Sequence, residues 1–236
     1  MNDYQYSRFD NNDNIAIKRK LSVRNKVLRN TYFLLAISLI PTVLGATFGI
    51  VSGLNYGMLS NPGLSAIIFF IGSFSLMFSI EKNKNNSFGV LFLLLFTFFM
   101  GIMLSRLLGI IIGMHNGSQI ISLAFGGTAA VFGFMNIIAS TIKRDLSNVE
   151  KFMSIGSIVL LFAIVANMFI QMSSLTLTIC MLSIVIFSSF MLIDIHRIIN
   201  NGETNYISAT LALYLDIYNV FSNLLVILGL FNNNRD

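Results

Sequence analysis

Seven long apolar runs, each separated from the next by a short cluster of Gly, Pro, Asn or charged residues, set the layout of the chain. They cover roughly residues 31–53, 63–80, 88–113, 119–142, 152–171, 175–198 and 206–231. A helix of about 20 residues crosses the hydrocarbon core of a bilayer, and each run is close to that length. None shows period-two alternation, and a transmembrane barrel needs shorter, alternating segments. The breaks between runs are short, as between neighbouring antiparallel helices. The pattern predicts an all-α integral membrane protein, a seven-transmembrane-helix bundle over residues 26–236. Residues 1–25 are polar and Asn-rich, and are expected to form a disordered cytoplasmic tail.

Composition supports that layout. Of 236 residues, 55% are hydrophobic and 11% charged, against about 25% charged in soluble chains. No charged residue occurs over 31–80, 107–142 or 152–193. The N-terminal tail and the stretches 81–86, 143–151 and 196–205 hold 13 of the 15 Lys and Arg; only Arg106 and Arg235 lie elsewhere. Positive-inside bias then puts the N-terminus in the cytoplasm and the C-terminus in the periplasm, which an odd number of crossings requires. The net charge of +5 comes largely from Lys18, Arg19, Lys20, Arg24, Lys26 and Arg29, ahead of the first run. With no basic–aromatic groove behind it, this cluster reads as topogenic, and no nucleic acid is expected. The first 30 residues have no apolar core, so no cleavable signal is expected. Cys180 is the sole cysteine and forms no internal disulfide.

Two carboxylates break the apolar rule. Asp216 lies inside the last run, where an acidic side chain costs at least about 2.5–3.5 kcal/mol on insertion scales. The other is Asp194, in "FSSFMLIDIHRII". At helical rise Asp194 lies about 9 Å before Asn200, and Asp216 about 15 Å beyond Tyr206. Consecutive antiparallel helices therefore carry both in the cytoplasmic half. Ala209, Ala212, Asp216, Asn219 and Asn223 follow three- and four-residue spacing, giving the seventh helix a small or polar stripe. Small residues permit close helix approach and Asn can bond across helices, so this helix is expected at the centre of the bundle. Asn167, Gln171, Asn136 and Ser140 are candidates for further interior polar contacts. Two carboxylates in low dielectric resist ionising together; they can share one proton and separate when both are charged. The pair is thus a candidate pH latch or cation site. The plainer alternative is a protonated Asp216 that only ties two helices.

At these residues the chain resembles a known family. "GETNYISATLALYLDIYNVFSNLLVILG" (residues 202–229) resembles the last helix of the BAX-inhibitor family of seven-helix membrane proteins. "KVLRNTYFLL" (26–35), "GGTAAVF" (126–132), "VANMFIQ" (165–171) and the terminal Arg235–Asp236 are similar to its bacterial YccA branch, and the likeness covers nearly everything after residue 25. The resemblance implies an inner-membrane partner and modulator of the FtsH membrane protease, which can also take such proteins as substrates through the N-terminal tail. It implies, as the alternative, a pH-sensitive calcium leak with Asp194 and Asp216 on the latch positions, passing Ca2+ and responding to H+. In that branch an arginine on helix two meets the acidic site. Segment 63–80 has no charge here, leaving Arg106 and Arg197 as the cations to consider.

Other chemistries fit less well. Paired aspartates on consecutive helices resemble intramembrane aspartyl proteases, but Leu213-Tyr214-Leu215-Asp216 lacks their Gly-x-Gly-Asp element, and a Pro-Ala-Leu-like motif is also missing. His115 in an outer loop and His196 at a helix end join no metal cluster or serine dyad. The chain is therefore not expected to be an enzyme, and no cofactor is expected. Arg106 lies about 27 Å along its helix from Phe88, in the half away from the aspartates, and its stem reads as snorkelling to the outer interface. Pro41 removes a backbone donor in mid-helix and is expected to kink the first helix. The Gly126–Gly127–Thr128 stretch reads as a packing surface.

Overall fold

The computed structural model describes residues 3–200 and 202–233, with side chains from Asn25 onward save those at 55, 58, 59, 62 and 233. Every element among them is helical: α1 (Asp3–Val51), α2 (Leu54–Ser60), α3 (Pro62–Asn83), α4 (Ser87–Ile112), α5 (Gly117–Thr141), α6 (Ser147–Ile170), α7 (Ser173–Ile199) and α8 (Tyr206–Asn233). Seven are long and apolar enough to cross a membrane, α1 doing so over Asn25–Val51. They fall on the seven apolar runs. The short α2 was not expected. It follows Gly53, whose φ of 75° is a left-handed break that glycine adopts without strain. Helix α1 begins at Asp3 and so runs through most of the stretch 1–25 that was expected as a disordered tail.

Local chemistry starts and stops these helices. Helix α3 opens on Pro62, where no intrahelical donor is lost. Ahead of α6, Asp145 Oδ1 accepts from the Ser147 amide at 3.1 Å and its hydroxyl at 2.6 Å. Those two bonds hold the Asp145 carboxyl below the usual aspartate range. Asn205 Oδ1 likewise accepts from the amides of Ile207 (2.9 Å) and Ser208 (3.2 Å), capping α8. The Asn205 amide group donates to Lys84 O at 3.0 Å and Asn85 Oδ1 at 3.1 Å, so the same residue fastens α8 to the α3–α4 turn.

Helix α8 is the axis of the bundle, packed against α1, α3, α4, α5 and α7. The main core gathers around it: Leu213, Tyr214 and Val220 meet Leu34 and Leu35 of α1, Phe96 of α4 and Met191 of α7. In lipid, apolar burial gives helices no drive to associate, so close packing of small residues has to do it. The α1–α4 seam shows this. A Cβ at Gly45 would sit 2.1 Å from Phe98 O, one at Gly101 2.1 Å from Thr42 O, and one at Gly49 2.3 Å from Ser105 Oγ. By contrast, among the described residues α6 packs on α7 alone. Leu160 is its one buried residue, and Phe152, Phe162 and Phe169 face outward.

Candidate functional site

The antiparallel turn between α7 and α8 puts Asp194 and Asp216 at one height. Their carboxyl groups lie within hydrogen-bonding reach of each other. A hydrogen bond between two carboxyl groups uses one proton, since an ionised carboxylate only accepts. Asp216 is 5% exposed, and its Oδ2 has no partner among the described residues. Asp194 is better supplied. Its side chain is 18% exposed, and Arg197 Nη1, one turn along α7, stands 3.4 Å from its Oδ1.

Arg197 is the residue the sequence reasoning named without placing. Its other terminal nitrogen contacts Glu150 Oε1 on α6, and its backbone carbonyl accepts from the amides of Gly202 (2.8 Å) and Glu203 (3.3 Å) in the turn leading to α8. A chain of polar contacts thus runs Glu150–Arg197–Asp194–Asp216, from the outermost helix to the central one. Glu150 was missed because no local motif marks it. Counting along the α6–α7 hairpin from Gln171 would have placed Glu150 and Arg197 within about 8 Å of the same height. Arg106 pairs with no carboxylate among the described residues.

The rest of the predicted polar face divides. Asn219 and Asn223 are half-buried, but they donate to Leu215 O (2.8 Å) and Asn219 O (2.7 Å) on their own helix rather than bonding across the bundle. Asn amides reach the carbonyl one turn back without any neighbour, and here that local bond wins. Besides Asp216, α8 reaches other helices through Ser208, whose hydroxyl donates to Glu81 Oε1 of α3 at 2.8 Å, through Thr210, which donates to Thr31 O of α1 at 3.3 Å, and through its tyrosines. Tyr214 OH bonds Thr42 Oγ1 of α1 at 2.8 Å, and Tyr218 OH donates to Met100 O of α4 at 3.4 Å. Asn136 does bridge helices, donating to Tyr32 OH at 2.8 Å, as does Asn167 to Thr176 Oγ1 at 2.7 Å. Gln171 and Ser140 are exposed and are not interior contacts. Gln171 ends α6 with a φ of 55°, beyond the buried stretch. Among the described residues no three His, Cys, Asp or Glu side chains converge on a metal position.

A seven-helix bundle with a buried central helix, and a carboxyl pair at one end of it, defines a class of polytopic membrane protein. The chain belongs to the BAX-inhibitor family: the family described as inhibitor of apoptosis-promoting Bax1 matches residues 24–233. Among its relatives, the modulator of FtsH protease YccA of Escherichia coli K12 is 39% identical over 205 residues, covering 87% of this chain and 90% of that protein. An uncharacterised membrane protein of Vibrio cholerae is 36% identical over 219 residues, 93% of this chain and 95% of its own length. A Pseudomonas aeruginosa protein is 35% identical over 226 residues, covering 96% and 97%.

Proposed function

We propose that this protein is an inner-membrane modulator of an FtsH-type membrane protease, acting by direct contact in the bilayer and itself serving as a substrate through residues 1–25. The observation that carries this reading is the 39% identity to the Escherichia coli modulator along most of both chains. A second Escherichia coli relative of the same identity is called an inner membrane protein. The N-terminus lies in the cytoplasm in this reading, where its tail meets the protease. Co-purification in mild detergent tests it, with full-length protein and a deletion of residues 2–25. FtsH is expected to be retained by the full-length protein, and turnover of the chain to slow in the deletion. Absence of FtsH from the full-length eluate overturns the proposal.

The buried carboxyl pair favours a second reading, a proton-gated calcium leak. With one shared proton, Asp194 and Asp216 bridge α7 and α8; with both charged, they repel at close range. Two carboxylates fall well short of the six to eight oxygens of a holding calcium site, so the pair suits a passing cation better than a resident one. Asp216→Asn keeps the shape and removes the second charge. It is expected to abolish the pH dependence of Ca2+ flux in reconstituted vesicles, and an unchanged pH profile sinks the latch.

A further inference from the structure

Among the described residues, helix α6 touches the bundle only through α7. The α6–α7 seam is apolar in the middle, where Leu160 packs with Ile179 and Ile186, and polar at its two ends. One end is fastened by Asn167–Thr176. The other end is fastened by Glu150–Arg197, and that guanidinium also serves Asp194. Arginine presents its donors in a rigid fork, so it can engage two carboxylates, but moving towards one draws it off the other. The carboxylates that meet the guanidinium are Glu150 on α6 and Asp194 on its own helix; Glu203, in the turn that follows, meets the Arg197 carbonyl through its amide and acts on Asp194 through its charge.

We propose that Arg197 is a positioning residue that couples the Asp194–Asp216 pair to the docking of α6: as charge builds on Asp194, Arg197 is drawn from Glu150 and the cytoplasmic end of α6 is released from α7. This deepens the latch reading and rests on the carboxyl pair being its moving part. It adds an output that the pair alone does not have. The opening step at the centre of the bundle is passed to its most peripheral helix, the one whose apolar surface is already turned outward. While the two aspartates share a proton, they carry one charge between them and Glu150 keeps its claim on Arg197. When both ionise, Asp194 presents a full charge 3.4 Å from the guanidinium and competes with Glu150 on equal terms.

Two substitutions pull this coupling in opposite directions. In Asp216→Asn the new amide donates to Asp194, which stays a full carboxylate and draws Arg197 inward. In Asp194→Asn the competing carboxylate is gone and Arg197 is left to Glu150. Neither residue forms an ion pair with α6 among the described residues. The experiment places spin labels at Asn148→Cys on α6 and Asn86→Cys ahead of α4, in a Cys180→Ala background, with the full chain in lipid nanodiscs. Glu150→Gln is the reference for a released α6. Pulsed dipolar spectroscopy is expected to show the docked population falling about twofold in Asp216→Asn, the size of effect an exposed ion pair exerts. In Asp194→Asn that population is expected to hold or rise. If both variants match the parent, or both shift the same way, the coupling is overturned and Glu150–Arg197 is a static tie. Ion flux plays no part in this readout, so a protein that conducts nothing would sink the leak reading while leaving the coupling to stand or fall by itself.

Discussion

Single glycines decide how closely α1 and α4 approach. The Gly101 Cα lies against Thr42 O, and both groups are backbone, so no side chain can rotate to make room for a Cβ 2.1 Å from that oxygen. Gly101→Ala is expected to force the seam apart, costing about 1–3 kcal/mol as overpacking does, and to lower the unfolding midpoint in mild detergent. Gly126→Ala is the matched control. Nothing lies within 4 Å of its Cβ position, and alanine in mid-helix is better than glycine by roughly 0.5–1 kcal/mol, so its midpoint should hold or rise. Equal losses in both variants would show that helix propensity, not contact, governs these sites. The sequence offered a misleading cue here. The conspicuous Gly126–Gly127 pair divides, Gly127 facing Leu224 and Gly126 facing open space, whereas the close approach is carried by Gly101 and by Gly45 and Gly49, a Gly-x-x-x-Gly spacing that did mark a packing face and was passed over. Asp216 was legible for the opposite reason: a carboxylate in an apolar run is costly enough to demand a partner.

Apart from the start of α1, which lies at Asp3, the long helices were legible to within a few residues because a bilayer fixes their length and composition together. What hydropathy leaves unsaid is who packs against whom. Runs 152–171 and 206–231 look alike in apolar content, yet α6 buries one side chain and α8 is the axis of the bundle. The stripe of Ala209, Ala212 and Asp216 carried the distinction, since small and polar side chains on one face are poorly suited to lipid. Its lower half misled: Asn219 and Asn223 satisfy themselves one turn back, so an Asn at helical spacing is weak evidence for a cross-helix bond. The tyrosines that do cross, Tyr214 and Tyr218, were hidden among the aromatics of an apolar run. Helix α2 escaped because seven residues after a glycine break carry too little periodicity to separate a short helix from a loop.

Across the whole molecule, charge is one-sided. Every Asp and Glu from Glu81 to Asp216 lies at or near the end of the bundle that also receives the α3–α4, α5–α6 and α7–α8 turns, and Lys82, Lys84, Lys143, Arg144, Lys151 and Arg197 lie there with them. Between its described spans the opposite end carries no acidic residue, and Arg106 has no carboxylate to meet. Lys and Arg in short loops are what hold a segment on the cytoplasmic side, so the carboxyl pair and the Glu150–Arg197 contact should face the cytoplasm, and any proton they exchange should come from there. Labelling with a membrane-impermeant maleimide, again in a Cys180→Ala background, checks this directly. Ser118→Cys, exposed where α5 begins, should react in intact spheroplasts. Lys143→Cys, exposed in the α5–α6 turn, should react only after lysis. The reverse pattern would turn the pair towards the periplasm: the tail at residues 1–25 would then lie out of reach of a cytoplasmic protease, and a latch at Asp194 and Asp216 would read external rather than internal pH.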